Sequence, residues 1–145
     1  DAERELERIF ASQADGEIRE GGHLEILGRP VPLRKQASGM LWFDFPALCE
    51  GPRSVADYIA LAKSSPAVIL ASVPVFDGST DAAARRFISL IDEFYDRHVK
   101  LVISAAAPIT DLYQGERLQA EFSRTQSRLI EMQSEAYLEL PHRVD

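Results

Sequence analysis

The chain has 145 residues, a hydrophobic fraction of 46%, a formal net charge of −7 and one cysteine, Cys49. This length predicts one domain with its own core, and the single cysteine excludes an internal disulfide and favours a reducing compartment. The acidic balance argues against a nucleic-acid-binding module driven by bulk charge, and no apolar stretch approaches the roughly 20 residues that a membrane span needs.

The N-terminal segment carries a short helical pattern over residues 1–13 and a polar, glycine-containing stretch over residues 15–22. The second stretch is typical of a linker. Because the chain begins inside a helical pattern without a methionine, we expect a fragment of a longer protein. On this interpretation residues 1–21 are a helix and linker from a preceding domain, and residues 22–145 are a second, C-terminal domain.

Residues 23–45 are rich in strand-forming residues. Alternation and turn residues predict strands over 23–27, 31–35 and 40–45, which together make an antiparallel meander. Prolines in the second of these strands suit an edge rather than a central position. Trp42 has two interpretations, a stacking platform for a base or a core aromatic residue, and we favour the core position.

The segment that follows combines a lone thiol, a helix and a buried strand. Cys49 has no histidine near it in sequence, which favours a buried structural thiol over a nucleophile. Ser54 is a suitable N-cap for a helix from Val55 to Lys63. The apolar run Ala67–Val73 predicts a strand that is buried on both faces.

A strong helical pattern links this strand to a second one. Apolar residues recur at helical spacing after Thr80, and a further apolar run, Val99–Ile103, predicts a parallel neighbour of Ala67–Val73. The apolar stripe of the helix consists of Ala84, Phe87, Ile88, Ile91 and Tyr95. The predicted fold class is therefore α/β, a parallel βαβ unit extended or flanked by an antiparallel β-meander, with helices packed on the sheet.

The C-terminal part predicts two more helices. The first is short, from Ile109 to Tyr113, and Pro108 and Gly115 mark its ends. The second runs from about Leu118 to Leu138. Its inner face is predicted to contain Leu118, Phe122, Leu129, Met132 and Ala136.

Motifs for nucleotide chemistry are absent from this sequence. It has neither a GxxxxGK[ST] loop nor a GxGxxG loop, so no phosphate-binding cradle is predicted. His23, His98 and His142 are scattered without the spacing of metal ligands. The strands of the βαβ unit run into Ser72 and Ser104 rather than into the acidic pair that holds magnesium in a P-loop ATPase.

Several long motifs carry a resemblance to a known family. The run RRFISLIDEFYDRHVKLVISA begins at Arg85, and FSRTQSRLIEMQSEAYL begins at Phe122. Together with DYIALA from Asp57, they make residues from about 22 to 138 similar to the C-terminal third of the ZapE-type (AFG-like) ATPase family. The resemblance implies an AAA+-like P-loop ATPase whose Walker A segment, Walker B segment and sensor lie upstream of the residues present here. It also implies that residues 22–145 are the C-terminal α/β domain of that ATPase.

The resemblance also implies a cellular role. Bacterial members of the family are cytoplasmic and associate with the FtsZ division ring, and mitochondrial relatives act in protein quality control. ATP and Mg²⁺ are therefore expected for the parent chain and not for this fragment, which should be inactive alone. A protein partner such as FtsZ and a homo-oligomer formed through the parent ATPase are expected, without a nucleic-acid partner.

Two functional hypotheses follow from these expectations. In the first, the fragment supplies arginines to nucleotide bound by the missing part or by a neighbouring subunit, with Arg124 and Arg128 as first candidates and Arg85 and Arg86 as second. Arginine suits this role because its planar fork grips phosphate in two places. A structural ion pair, for example between Arg128 and Glu131, is the alternative for each of them. Within this chain the negative group opposite Arg124 and Arg128 could be Glu131, Asp92 or Glu93.

In the second hypothesis the domain is a non-catalytic protein-interaction module with no nucleotide role. The acidic balance and a charged helix face with Asp92, Asp96 and Arg97 would then dock a partner. For Glu93 the simplest expectation is a solvated pair with Arg97 at i,i+4.

Overall fold

The computed structural model describes residues 1–145. The helices are α1 (Ala2–Gln13), α2 (Phe45–Cys49), α3 (Val55–Ser64), α4 (Asp81–Asp96), α5 (Gln119–Glu131) and α6 (Glu135–Leu138). The strands are β1 (Asp15–Glu20), β2 (His23–Ile26), β3 (Arg29–Pro32), β4 (Lys35–Ser38), β5 (Met40–Asp44), β6 (Ala67–Val73) and β7 (Lys100–Ala105). Short 3₁₀ helices cover Gly78–Thr80 and Ile109–Asp111. None of the helices is long and apolar enough to cross a membrane.

A five-stranded sheet forms the centre of the fold, in the order β1-β4-β5-β6-β7. The β5–β6 and β6–β7 pairs are parallel, whereas β1–β4 and β4–β5 are antiparallel. Ala67 aligns with Lys100, and Leu70 aligns with Ile103. The predicted α/β class and the adjacency of the two apolar runs as parallel strands are therefore confirmed.

The main core lies between one face of the sheet and helices α2 to α6. Its centre is a cluster of four phenylalanines that are at most 1% exposed: Phe45, Phe76, Phe87 and Phe122. Phe87 stacks on Phe122 with ring centroids 6.0 Å apart, and Phe76 lies 5.6 Å from Phe87. The helical stripe predicted for α4 provides this packing, because Ala84, Phe87, Ile88 and Ile91 are all buried.

The opposite face of the sheet is covered by α1. Leu6 and Phe10 on α1 are buried against Trp42 and Ile69, and the rings of Phe10 and Trp42 lie 6.0 Å apart. The prediction of Trp42 as a core aromatic is confirmed, since its side chain is fully buried. Arg34 stacks over the Trp42 ring at 5.0 Å.

The predicted linker at residues 15–22 is wrong. Asp15–Glu20 is strand β1, which pairs with β4 and forms one edge of the sheet. All six residues of β1 are exposed, so the strand is held by backbone hydrogen bonds and not by an apolar face that sequence could show. The origin of residues 1–21 in a preceding domain remains a prediction.

The predicted meander is also corrected in part. Strands β2 and β3 form a separate two-stranded sheet, and only β4 and β5 join β1 in the main sheet. Pro30 and Pro32 lie in β3 and lack the N–H that a central strand would need. The hairpin packs against α3, and Arg29 donates two 2.9 Å hydrogen bonds to the carboxylate of Asp57 there.

The C-terminal helix is divided into two. α5 ends at Glu131, and α6 begins at Glu135 with Ser134 accepting a hydrogen bond from the Tyr137 N–H. The break changes the inner face, because Ala136 is exposed and Tyr137 is buried instead. The α3 helix begins after Ser54 as predicted, and Val55 at its start is 47% exposed.

Candidate functional site

The candidate arginines lie on α4 and α5, which pack side by side. Asp92 on α4 contacts Arg128 on α5, and the Tyr95 hydroxyl donates a 2.8 Å hydrogen bond to Glu131. Each contact joins residues 36 positions apart, so the two helices run in the same direction. These two contacts form a polar seam between the helices, which consists of Asp92, Tyr95, Arg128 and Glu131. Their equal spacing fixes the register of α4 against α5.

Arg128 lies within this seam. Its guanidinium forms an ion pair with Asp92, and its Cζ atom lies 5.0 Å from the centroid of the Tyr95 ring. The side chain of Arg128 is 28% exposed. The i,i+3 pair with Glu131 is not formed, because Glu131 accepts from Tyr95 instead.

Arg124 and Arg85 differ from Arg128 because both are exposed and neither forms an ion pair or a side-chain hydrogen bond. Arg124 lies one turn before Arg128 on α5. Arg85 lies two turns before Asp92 on α4, on the same side of that helix. Because the helices run in the same direction, Arg85 and Arg124 both precede the Asp92–Arg128 pair along the helices, and no carboxylate is bound to either.

Arg86 points in another direction. Its guanidinium donates a 3.4 Å hydrogen bond to the backbone carbonyl of Cys49, the last residue of α2. A cation suits this position because carbonyls at a helix C-terminus carry partial negative charge. The structure thus places Arg86 and Arg128 in internal contacts with different helices and leaves Arg85 and Arg124 open to solvent.

The charged face assigned to a partner is smaller than the sequence indicates. Arg97 pairs with Glu93 at 3.0 Å, which confirms the i,i+4 pair, but both side chains are only 19% exposed, so the pair is not the solvated one expected. Asp92 is occupied by Arg128. Asp96 alone of the three predicted docking residues is exposed without an ion pair.

The carboxyl end of the sheet contains two features that sequence did not indicate. Asp44 ends β5 and forms a 3.1 Å ion pair with Arg34. Ser72 interrupts β6 with φ of 66°, and its N–H donates a 2.8 Å hydrogen bond to the Ser104 hydroxyl. The left-handed conformation is unfavourable for a serine, so the Ser104 contact holds this bulge in place.

Nucleophilic chemistry at Cys49 is not supported by its surroundings. The thiol is fully buried, and that burial raises its pKa well above the ordinary range. A thiolate is the reactive form of cysteine, and this environment disfavours it. The prediction of a buried structural thiol is confirmed.

The residues present do not fit a Mg²⁺-ATP site on their own. No glycine in the chain is followed by lysine, so the side chain that reaches the β- and γ-phosphates of a P-loop site is missing. No group of histidine, cysteine and carboxylate side chains is arranged to hold a metal ion.

Similarity to known proteins extends over most of the chain. A family model described as AFG1-like ATPase matches residues 1–141. The cell division protein ZapE of Escherichia coli K12 is 44% identical over 138 residues, which are 95% of this chain and 37% of that protein.

Eukaryotic relatives are more distant. The lactation elevated protein 1 homolog B of Danio rerio is 31% identical over 134 residues, covering 91% of this chain and 27% of that protein. An uncharacterized protein of Schizosaccharomyces pombe is 32% identical over 116 residues, covering 78% of this chain and 25% of the relative. The chain thus spans little more than a third of the length of the bacterial relative. No solved structure matches it.

Proposed function

Because this chain belongs to the AFG1-like ATPase family, we propose that it is the C-terminal part of an ATPase that remodels a protein partner. The parent chain would bind ATP and Mg²⁺ through residues outside the 145 described here. In bacteria the partner would be the FtsZ division ring, and the protein would be cytoplasmic. The observation that carries this proposal is the family match over residues 1–141 together with 44% identity to a cell division protein.

Within that ATPase the exposed arginines would contact the phosphates of nucleotide bound elsewhere in the parent or in a neighbouring subunit of a homo-oligomer. Arg124 and Arg85 are free of internal carboxylates and can turn toward an anion without breaking a contact. Arg128 would reach such an anion only by leaving Asp92, and Arg86 only by leaving the Cys49 carbonyl. The proposed roles are therefore direct contact for Arg124 and Arg85, and support of the seam by Arg128 and of α2 by Arg86.

A second candidate function is a non-catalytic protein-interaction domain with no nucleotide role. The internal contacts of Arg86 and Arg128 favour it, because two of the four candidate arginines already have partners within the fold. In this case Arg85 and Arg124 would contact an acidic surface of the partner protein instead of a phosphate.

The two functions are separated by measurements on the full-length protein. Arg85→Ala and Arg124→Ala are introduced together, and Arg19→Ala on exposed strand β1 serves as a control for loss of a positive charge. A fall of at least about tenfold in ATP turnover with the control unchanged supports phosphate contact, since this is the scale of one lost charge-assisted interaction. Unchanged turnover with weaker cosedimentation of FtsZ filaments supports the interaction domain, and no change in either removes these arginines from the function.

A further inference from the structure

Strand β7 ends the main sheet with a free edge. It pairs only with β6, and its Lys100 N–H points inward to the Pro66 carbonyl at 2.9 Å. Backbone groups alternate in direction along a strand. The N–H groups of Leu101 and Ile103 therefore point away from the sheet with no strand to accept them.

The two edges of this sheet differ in composition. β1, at the other edge, has the sequence DGEIRE, is exposed throughout and has an irregular register with β4. Charges and irregularities of this kind protect an edge from pairing with another strand. β7 has the unbroken apolar run Leu101, Val102 and Ile103, and its only charged residue is Lys100. The β7 edge thus lacks the protection that the β1 edge has.

Two adjoining apolar grooves border the free edge of β7. One is lined by Leu101 and Val102 of β7, by Leu129 of α5 and by Met132, which follows α5. The second, of about 570 Å³, shares Leu101, Val102 and Met132 and extends to Leu138. The unpaired N–H groups of the edge favour an extended segment over a helix, because the backbone carbonyls of a helix are already bonded within it.

We propose that a segment upstream of Asp1 in the parent polypeptide adds a strand to the free edge of β7. This inference rests on the proposed function, in which the chain is the C-terminal part of a longer ATPase. The length of the bacterial relative supports it, because the 138 matched residues are only 37% of that protein. Most of such a protein is therefore available to cover the edge.

A segment of the same polypeptide has an advantage over a second copy of the chain. Attachment through the backbone gives it an effective concentration on the order of millimolar, whereas a second copy must associate from solution. The upstream segment consequently occupies the edge first and prevents pairing between two β7 strands.

The test uses the full-length parent protein and two readouts. Amide exchange at Leu101 and Ile103 is expected to be slower by at least about a hundredfold than for unpaired amides, as for a strand inside a sheet. A photoreactive benzoylphenylalanine in place of Lys100, which is exposed at the rim of the groove, is expected to cross-link to residues upstream of Asp1 within the same chain. The same group in place of Glu17 on β1 is the matched control and should not give that product.

Each other outcome overturns the inference. Cross-linked dimers mean that another copy covers β7, and fast exchange at Leu101 and Ile103 means that the edge stays free. ATP turnover of the same preparation is measured separately. An active ATPase with a free β7 edge overturns only this inference, whereas a protected β7 edge in a protein that hydrolyses no ATP overturns only the proposed function.

Discussion

Arg128 on α5 forms an ion pair with Asp92 on α4, across the seam where these two helices pack. The pair joins residues distant in sequence, and stacking on Tyr95 at 5.0 Å adds to it. Both side chains are partly shielded from solvent, at 28% and 29% exposure. The geometry gives Arg128 a structural task that Arg124, one turn away, does not have.

Arg128→Ala is therefore expected to lower the free energy of unfolding by about 1–2 kcal/mol, from loss of the partly buried ion pair and the cation–π contact. Arg124→Ala, at an exposed position on the same helix, should change it by less than about 0.5 kcal/mol. Urea denaturation of the two variants and of the unsubstituted chain measures both values. Equal effects of the two substitutions would contradict a structural role for Arg128.

Mg²⁺-ATP should not bind tightly to residues 1–145 alone. The physical reason is the lack of a glycine-rich loop with its lysine, which provides the charge and the N–H groups that hold a triphosphate. Isothermal titration of the purified fragment with Mg²⁺-ATP is expected to give no saturable heat below millimolar concentration. A micromolar dissociation constant would show that another site on these residues holds nucleotide.

Phe87→Ala is expected to destabilise the domain by about 3–5 kcal/mol, the usual range for truncating a core aromatic residue. Phe87 is fully buried and contacts the rings of Phe45, Phe76 and Phe122. Thermal or chemical denaturation measures the loss, with Phe87→Leu as a milder variant that keeps an apolar side chain. A melting temperature unchanged by Phe87→Ala would disprove the core position.

The α4 helix and the βαβ unit were predictable because their signals are local. A stripe at helical spacing and two apolar runs define them, and burial of Phe87 and Ile91 follows directly from that periodicity. β1 was not predictable, because all of its residues are polar or exposed and its pairing with β4 depends on backbone groups alone.

The contacts of the candidate site residues were harder to predict from the sequence than the fold. From the sequence, Glu131, Asp92 and Glu93 are all possible partners of Arg128, and only the packing of α4 on α5 selects Asp92. The left-handed conformation of Ser72 likewise depends on Ser104 from the neighbouring strand. Both contacts depend on the tertiary structure, so the spacing of residues along the sequence does not predict them.

Gly115 is required for space and not for an unusual backbone angle. A Cβ at this position would lie 2.5 Å from the Tyr113 hydroxyl oxygen and 3.2 Å from the Gly78 nitrogen. That hydroxyl donates to Asp81 at 2.8 Å and accepts from the Leu118 N–H at 3.0 Å. Any side chain at 115 must displace Tyr113 and disturb both hydrogen bonds.

Gly115→Ala is accordingly expected to lower the free energy of unfolding by about 1–3 kcal/mol, the range for overpacking a filled site. Gly78→Ala is the matched control, because a Cβ there meets nothing within 4 Å. Denaturant titration of both variants measures the difference. Equal stability of the two would show that Tyr113 moves aside without cost.

Asp57 ties the β2–β3 hairpin to the start of α3. Its carboxylate accepts hydrogen bonds from Arg29 at 2.9 Å and from the Ser54 N–H at 2.8 Å, and its side chain is 3% exposed. Burial by itself raises the pKa of this carboxyl, but the hydrogen bonds from Ser54 and the charge of Arg29 outweigh it, so the pKa of Asp57 lies below its ordinary value.

Because the pKa of Asp57 is lower in the folded than in the unfolded protein, its contribution to stability is lost at low pH. The contribution of Asp57 is fully present above the unfolded-state pKa of about 3.9 and is lost as the pH falls through the lower folded-state pKa. Asp57→Asn should therefore lower the free energy of unfolding by about 1–3 kcal/mol at pH 7, as expected when a charged hydrogen-bond partner is removed. This loss should shrink from about pH 4 downward.

Urea denaturation at pH 7, 5, 4 and 3 measures the loss. Asp96→Asn is the control, because Asp96 is exposed and has no ion pair, and it should show no such loss. If the difference in free energy of unfolding between the unsubstituted chain and Asp57→Asn stayed constant or grew toward pH 3, the ionised Asp57 carboxylate would not stabilise the hairpin contact.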